Sequence, residues 1–206
     1  KEINLFAERM RRMFGMLKTL LHETNENEFN KLFSRIEKYE NISDSMELEI
    51  ANYLNKVSEG RLSSESKLEI RGMLREVTEI ESIGDSCYNL ARTINRKRSG
   101  GNDFTEKQYE HIHQMMQLTD DALAQMIAIV EDDYHVVDVN KTFNLENEIN
   151  NYRAQLKNQN VVDVNNKEYD YQMGVHYMDL IGECEKLADY VVNVVEARTN
   201  VKEKKA

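Results

Sequence analysis

Residues 79–89 read EIESIGDSCYN and residues 183–193 read ECEKLADYVVN, so both share the pattern E-x-E-x-x-x-D-x-x-x-N. Each copy lies in a long segment whose apolar residues recur at helical spacing. On a helix, residues four apart are neighbours, so Glu81 lies beside Asp85. Two carboxylates held this close repel each other unless a positive charge lies between them. The repeated stretch therefore predicts a helical protein organised around paired carboxylates.

The composition also favours a protein that is nearly all helix. The chain has 206 residues with no proline and only eight glycines, and 31% of its residues are charged. Because proline and glycine are the residues that most often interrupt helices, their scarcity predicts long uninterrupted segments. The hydrophobic share of 40% is enough to bury one substantial core or two smaller ones.

The charge and the apolar runs exclude several classes of protein. Thirty-seven acidic residues against twenty-seven basic ones give a net charge of −10, which argues against nucleic-acid binding and favours cations or basic partner surfaces. No apolar run approaches the roughly 18 residues of a membrane span, and no signal peptide is visible. Cys87 and Cys184 lack metal-ligand spacing, so we expect reduced, buried thiols of a cytoplasmic protein.

The apolar periodicity predicts six helical segments. They span about residues 1–23, 27–57, 64–98, 105–132, 139–157 and 167–198. The expected buried stripe of the first segment consists of Leu5, Phe6, Met10, Met13, Leu17, Leu20 and Leu21. That of the second consists of Phe29, Leu32, Phe33, Ile36, Met46, Ile50, Tyr53, Leu54 and Val57.

The second set of three segments repeats the first. Glu81 aligns with Glu185 at a shift of 104 residues, and Glu40 aligns with Glu146 at a shift of 106. Two motifs repeating at nearly one shift indicate a duplicated three-helix unit. Long helices with short connections pack as up-down-up bundles. We therefore predict an all-α protein of two tandem three-helix bundles that meet across Gly100 and Gly101. The predicted units are residues 1–99 and 104–199, followed by a charged tail at 200–206.

Antiparallel packing of the second and third helices of each unit brings carboxylates together. Glu40 and Asp44 lie one turn apart beside the apolar stripe and can face Glu81 and Asp85. The corresponding residues of the second half are Glu146, Glu185 and Asp189. A carboxylate group with few nitrogen ligands suits a hard or borderline cation such as Mg²⁺, Mn²⁺ or iron. Any single pair is typical of a solvated helix face, but matching pairs in both repeats favour a metal site.

These motifs resemble those of the PhoU family of phosphate-uptake regulators. Residues 80–85, IESIGD, and residues 187–189, LAD, following Glu185, are similar to the signature of the family's third helix. The resemblance covers essentially the whole chain. It implies multinuclear metal clusters of iron, zinc, magnesium or manganese, and cytoplasmic regulation of phosphate transport and signalling. The implied partner is a phosphate transporter or a sensor kinase.

The opening segment narrows that resemblance. Glu8, Arg9 and Met10 lie in an amphipathic helix that looks like the domain appended to bacterial Na⁺/phosphate cotransporters, and the chain begins at Lys1 rather than Met. The resulting expectation is the cytoplasmic domain of a cotransporter, tethered to the inner face of the membrane. A free-standing PhoU-type regulator is the alternative, and a homodimer is left open.

Carried over residue by residue, the family resemblance implies a specific set of metal ligands. They are Glu40, Asp44, Glu81 and Asp85 in the first half and Glu146, Glu185 and Asp189 in the second. The eighth position is Asn150, which keeps a carbonyl oxygen but has neither the charge of aspartate nor its ability to bridge two cations. We therefore expect the first half to bind metal tightly and the second weakly or not at all.

Two other classes of protein compete with this interpretation. A di-iron enzyme of the ferritin type needs two Glu-x-x-His motifs. Glu110 and His113 supply one, but His176 has Met173 in place of the second glutamate. No nucleophile arrangement or phosphate-binding glycine loop is apparent, so we predict a non-enzyme, with His22, His111 and His113 as ordinary surface residues. A metal-free helical adaptor is the other alternative.

Overall fold

The computed structural model describes residues 1–131 and 138–203 of the chain, and these residues form six helices. They are α1 (Glu2–His22), α2 (Glu26–Ser58), α3 (Ser64–Ser99), α4 (Glu106–Glu131), α5 (Asn140–Asn165) and α6 (Tyr171–Glu203). The predicted all-α class and the order of the segments are confirmed. The predicted tail at 200–206 lies partly within α6, and residues 204–206 lie outside the described residues.

Side-chain caps mark several of the helix ends. The Asn25 side chain accepts a hydrogen bond from the Glu28 backbone N–H at 3.1 Å at the start of α2, and Ser63 does the same for Ser66 at 3.1 Å at the start of α3. Such caps satisfy backbone donors that have no partner within the helix. After α3 the chain turns at Gly101, whose φ of 78° lies in the left-handed region that favours glycine.

The predicted boundaries of α5 and α6 were wrong by one to two turns. Helix α5 continues to Asn165 instead of ending near residue 157, and α6 begins at Tyr171 instead of 167. The extra turns of α5 pack against α6, since a Cβ atom at Gly174 of α6 would lie 3.0 Å from Asn160 and 3.0 Å from Val164. Leu156 is buried, and the Oδ1 of Asn160 also accepts a hydrogen bond at 2.7 Å from Tyr169, just before α6.

The helices pack in two sets of three that share one core. Helices α1, α2 and α3 contact one another, as do α4, α5 and α6, and the most extensive contact of all is between α3 and α6. A single buried apolar cluster includes side chains from all six helices. The two halves therefore meet along α3 and α6, and not only across Gly100 and Gly101. The division into units 1–99 and 104–199 stays a prediction.

Three side chains that we expected to be buried are exposed. Leu5 is 45% exposed, Tyr53 68% and Val57 37%. For α2 the reason is its length, since it has 33 residues against 21 in α1, so its last turns extend beyond the helix that covers its apolar face. The other members of the two predicted stripes are buried or partly buried. All of them belong to or pack against the shared apolar cluster except Leu54, which is buried outside it.

Within the part of the chain that the structure describes, no helix is both long enough and apolar enough to cross a membrane.

Candidate metal centre

Helices α2 and α3 bring three carboxylates of the first half together. Glu40, Asp44 and Asp85 each offer one oxygen, and these three oxygens all lie within 4.8 Å of one another. Glu40 is half-buried, while Asp44 and Asp85 are exposed at the edge of the core. The juxtaposition that the sequence predicted for these residues is therefore present in the structure.

A close approach of the two helices accounts for this geometry. Gly84 precedes Asp85, and a Cβ atom added at Gly84 would lie 2.9 Å from the Oγ of Ser43 and 2.9 Å from the Sδ of Met10. Ser43 precedes Asp44 and is buried. Because Gly84 has no side chain, α2 and α3 can approach closely enough for the adjacent carboxylates to face each other.

Glu81 lies beside the three carboxylates, on the turn of α3 before Asp85. Burial raises the pKa of Glu81 to about 8, with a side-chain hydrogen bond to Asp85 and the charges of Asp85, Glu47 and Asp44 acting in the same direction. Near neutral pH and without a cation, the pair of Glu81 and Asp85 therefore holds a proton.

The pKa of Glu40 is also raised, by burial first and then by the charges of Asp44, Asp85 and Glu37. Both pKa values are raised by burial first and by neighbouring carboxylates second, so these two carboxyl groups favour a proton or a nearby cation. A cation with ligand oxygens at about 2.0–2.2 Å places those oxygens up to roughly 4.4 Å apart, so small side-chain movements suffice to bind one. The donor set, all oxygen, fits Mg²⁺, Mn²⁺ or iron.

The second half arranges its corresponding residues differently. The Asn150 amide donates a hydrogen bond to the Glu146 carboxylate. The Nε of Arg153 lies 2.8 Å from the Oε2 of Glu185, in an ion pair rather than an aligned hydrogen bond. The pKa of Asp189 is raised, by burial first and then by the charges of Glu185 and Glu146. Among the described residues, only Glu40, Asp44 and Asp85 form a group of three close metal-capable side chains.

Glu47 and Arg153 are site residues that our sequence analysis missed. They lie one turn after the predicted ligand Asp44 and its counterpart Asn150, and they align with each other at the same shift of 106 residues that relates Glu40 to Glu146. The signal was therefore in the sequence. A pattern defined by pairs of acidic residues does not include a basic residue, so that pattern alone does not identify Arg153.

The outer residues of the repeated motif tie the two halves together. The Asn193 side chain donates to Glu79 at 3.0 Å, and the Asn89 side chain donates to Glu183 at 3.4 Å. These two reciprocal contacts lie between α3 and α6, which are antiparallel to each other. The inner positions, Glu81 and Asp85 with their repeats, face α2 and α5 instead. The repeated motif therefore forms two kinds of contact, one between α3 and α6 and one from each of these helices to α2 or α5.

The histidine prediction was wrong for His111, which is half-buried with its Nδ1 2.8 Å from the Tyr177 hydroxyl. His22 and His113 are exposed, as predicted, but their Nε2 atoms lie 2.5 Å apart and join α1 to α4. None of these histidines belongs to the group of metal-capable side chains found among the described residues. The di-iron alternative therefore gains no support from this geometry.

The PhoU domain matches the chain twice, over residues 3–94 and 112–197. Among curated proteins, none matches. Two solved structures are similar over 98% of this chain. The phosphate transport system regulatory protein PhoU from Streptococcus pneumoniae has 14% identity, a TM-score of 0.80 and 92% of its own chain covered. PhoU from Pseudomonas aeruginosa has 12% identity, a TM-score of 0.74 and 94% covered. At these identities the likeness shows a shared fold.

Proposed function

The chain belongs to the PhoU domain family, and from this premise we propose that it is a metal-responsive, non-enzymatic regulator of phosphate transport. The similar structure from Streptococcus pneumoniae is described as a regulatory protein of the phosphate transport system. That description, together with the carboxylate group of the first half, supports the proposal.

The metal part of the proposal is carried by one observation, the three oxygens of Glu40, Asp44 and Asp85 within 4.8 Å of one another. A cation held there, with Glu81 as a further ligand, replaces the proton on Glu81 and links α2 to α3. Magnesium, manganese, iron and zinc are the candidates. Metal availability would then set how firmly these two helices are held together.

For the second half we propose weaker binding. Glu146, Glu185 and Asp189 remain the predicted ligands, and Asn150 supplies a carbonyl oxygen without a charge. Fewer carboxylates lower the attraction for a divalent cation, so the second half should fill only at higher metal concentration, or not at all.

We infer a free-standing cytoplasmic regulator rather than a cotransporter domain. The expectation of a cotransporter, drawn from Glu8, Arg9 and Met10, finds no support in the similar structures, both of which are PhoU proteins. The proposed partner is a phosphate transporter, with a sensor kinase as the alternative. The parent open reading frame tests this inference, because a preceding block of transmembrane helices would favour the cotransporter.

Elemental analysis tests the metal site. We expect protein purified without chelator to contain metal, and we expect Asp85→Ala to lose most of it. The matched control is Glu49→Ala, which removes an exposed carboxylate elsewhere on α2. Equal metal content in Asp85→Ala and wild type would exclude the proposed ligands. No metal in any of the three proteins would favour the metal-free adaptor.

The homodimer stays a prediction. Size-exclusion chromatography with light scattering, run with chelator and then with Mn²⁺, tests it directly. A mass equal to that of one chain under both conditions would rule it out.

A further inference from the structure

We propose that Arg153 acts as a built-in cation in the second half and replaces there the metal ion that the first half binds. The second carboxylate group then holds α5 against α6 without metal, and only the first half responds to metal concentration. The inference rests on the proposed metal site of the first half.

The ion pair of Arg153 with Glu185 is the first step of the argument. Glu185 repeats Glu81, one of the predicted metal ligands, and the guanidinium Nε lies 2.8 Å from its Oε2. The two side chains are 34% and 26% exposed, so the pair is partly shielded from water. A charge pair with this burial is stronger than a fully solvated one, because the surrounding protein screens it less.

The position of Arg153 is the second step. Arg153 occupies the place of Glu47, and Gly182 occupies the place of Thr78, at the shifts that align the rest of each helix. In the first half, the Thr78 hydroxyl donates to Glu47 at 3.1 Å. In the second half, Gly182 lacks a side chain, and a Cβ atom there would lie 3.8 Å from the Arg153 Nε. Gly182 is therefore a neighbour of Arg153, as Thr78 is of Glu47.

The charge balance is the third step. The first-half group contains five carboxylates: Glu40, Asp44, Glu47, Glu81 and Asp85. The second-half group contains Glu146, Glu185 and Asp189 with the neutral Asn150 and the cationic Arg153. With every carboxyl group ionised, the formal charges are −5 and −2. A divalent cation entering the second group would meet the repulsion of a guanidinium that never deprotonates in proteins. The residues of the second half therefore do not fit a tightly bound metal.

The remaining contacts satisfy the group in part, and the buried Oδ1 of Asn150 has no hydrogen-bond partner among the described residues. Asn150 donates to Glu146, and Arg153 neutralises Glu185. Asp189 is the exposed member, with a raised pKa caused by burial and by its two carboxylate neighbours. Arg153 pairs with Glu185, and the neutral Asn150 bonds Glu146, so Arg153 supplies the fixed positive charge of the group.

Thermal unfolding in chelator tests the proposal through the loss of Arg153. We compare Arg153→Met with its parent, both carrying Asp44→Ala and Asp85→Ala so that the first half does not respond. In chelator, we expect Arg153→Met to lower Tm by about 2–4 °C relative to its parent. When Mn²⁺ replaces the chelator, we expect Tm to rise again in this variant and to stay unchanged in the parent. The matched control is Arg75→Met, which removes a more exposed ion pair with Glu196 on α6 at 3.6 Å. Its smaller loss should not be restored by Mn²⁺.

A gain of metal binding provides the second test. In the same background we expect Asn150→Asp with Arg153→Glu to bind Mn²⁺, detected by electron paramagnetic resonance, at least about tenfold more tightly than the parent. An unchanged Tm in Arg153→Met, a loss that Mn²⁺ does not restore, or no gain of Mn²⁺ binding in the double substitution would each overturn the role of Arg153. Failure of the proposed function gives a different result. In the protein whose first half is otherwise intact, Mn²⁺ binding would then be unchanged by Asp85→Ala.

Discussion

The two halves of the molecule place different charges at the same helical positions. In the first half, α2 and α3 face each other through carboxylates, three of which have oxygens within 4.8 Å of one another. In the second half, α5 and α6 meet through carboxylates, an amide and a guanidinium, with Arg153 paired to Glu185. Helix register fixes where these side chains lie, and in our proposal their charges decide whether a metal or an arginine balances them.

The outer positions of the repeated motif are alike in the two halves. Asn193 bonds Glu79 and Asn89 bonds Glu183, so each half supplies one donor and one acceptor to the contact between α3 and α6. The difference in charge described above lies on the faces that α3 and α6 turn towards α2 and α5. We expect a change of metal occupancy at the proposed site to act on α2 and α3 without breaking these two bonds between α3 and α6.

The largest expected effect comes from giving the first half the residues of the second. We expect Asp44→Asn with Glu47→Arg to weaken Mn²⁺ binding by about 100-fold, because one ligand loses its charge and a guanidinium enters the group. Isothermal titration measures it. Glu49→Arg is the control, since it introduces the same charge on α2 at a different exposed position. An unchanged affinity in the double variant would show that the charges at 44 and 47 do not distinguish the halves.

The next effect is a change in Tm that has opposite signs at the matched positions Glu81 and Glu185. In chelator at pH 8.5, we expect Glu81→Gln to raise Tm and Glu185→Gln to lower it, each by about 2–4 °C. Removing the charge of Glu81 relieves repulsion, whereas removing that of Glu185 leaves Arg153 without its partner. The effects are small because these side chains are partly exposed and solvent screens them. Shifts of the same sign would show that the two groups are electrostatically equivalent.

The pH dependence gives a second readout of Glu81. Its pKa is raised from 4.5 to about 8 in the folded protein, so the folded state retains a proton that the unfolded chain loses in this range. The contribution of protonated Glu81 to the free energy of unfolding is therefore fully present below pH 4.5 and is lost as the pH rises to about 8. We expect the difference in Tm between Glu81→Gln and wild type, in chelator, to grow in favour of the variant from pH 6 to pH 8.5. A constant difference would contradict the raised pKa.

The smallest effects concern the two contacts between α3 and α6. We expect Asn193→Ala to cost about 1 kcal/mol of unfolding free energy and Asn89→Ala about 0.5 kcal/mol, because the Asn193 bond is shorter, at 3.0 Å against 3.4 Å. Urea unfolding measures both. Asn158→Ala on the exposed face of α5 should change stability less than either. A greater loss in Asn89→Ala would reverse the ranking inferred from the two distances.

Much of the fold and part of the site were predictable from local pattern. Apolar periodicity placed the helices, and the shifts of 104 and 106 residues revealed the repeat, because both can be read from the order of the residues alone. The end of α5 was not predictable, since its extra turns pack against α6 through Asn160 and Val164. The exposure of Tyr53 depends in turn on how far α1 reaches along α2.

The sequence by itself determined that the protein is helical, duplicated and lined with paired carboxylates, because helical spacing and repetition are properties of the chain alone. Only the tertiary structure decided what each carboxylate faces. Asp85 meets Glu40 and Asp44 across a glycine contact, Glu79 meets Asn193, and Glu185 meets Arg153. Whether a carboxylate attracts a metal or is already neutralised depends on charges within a few ångströms, and those are brought together by folding.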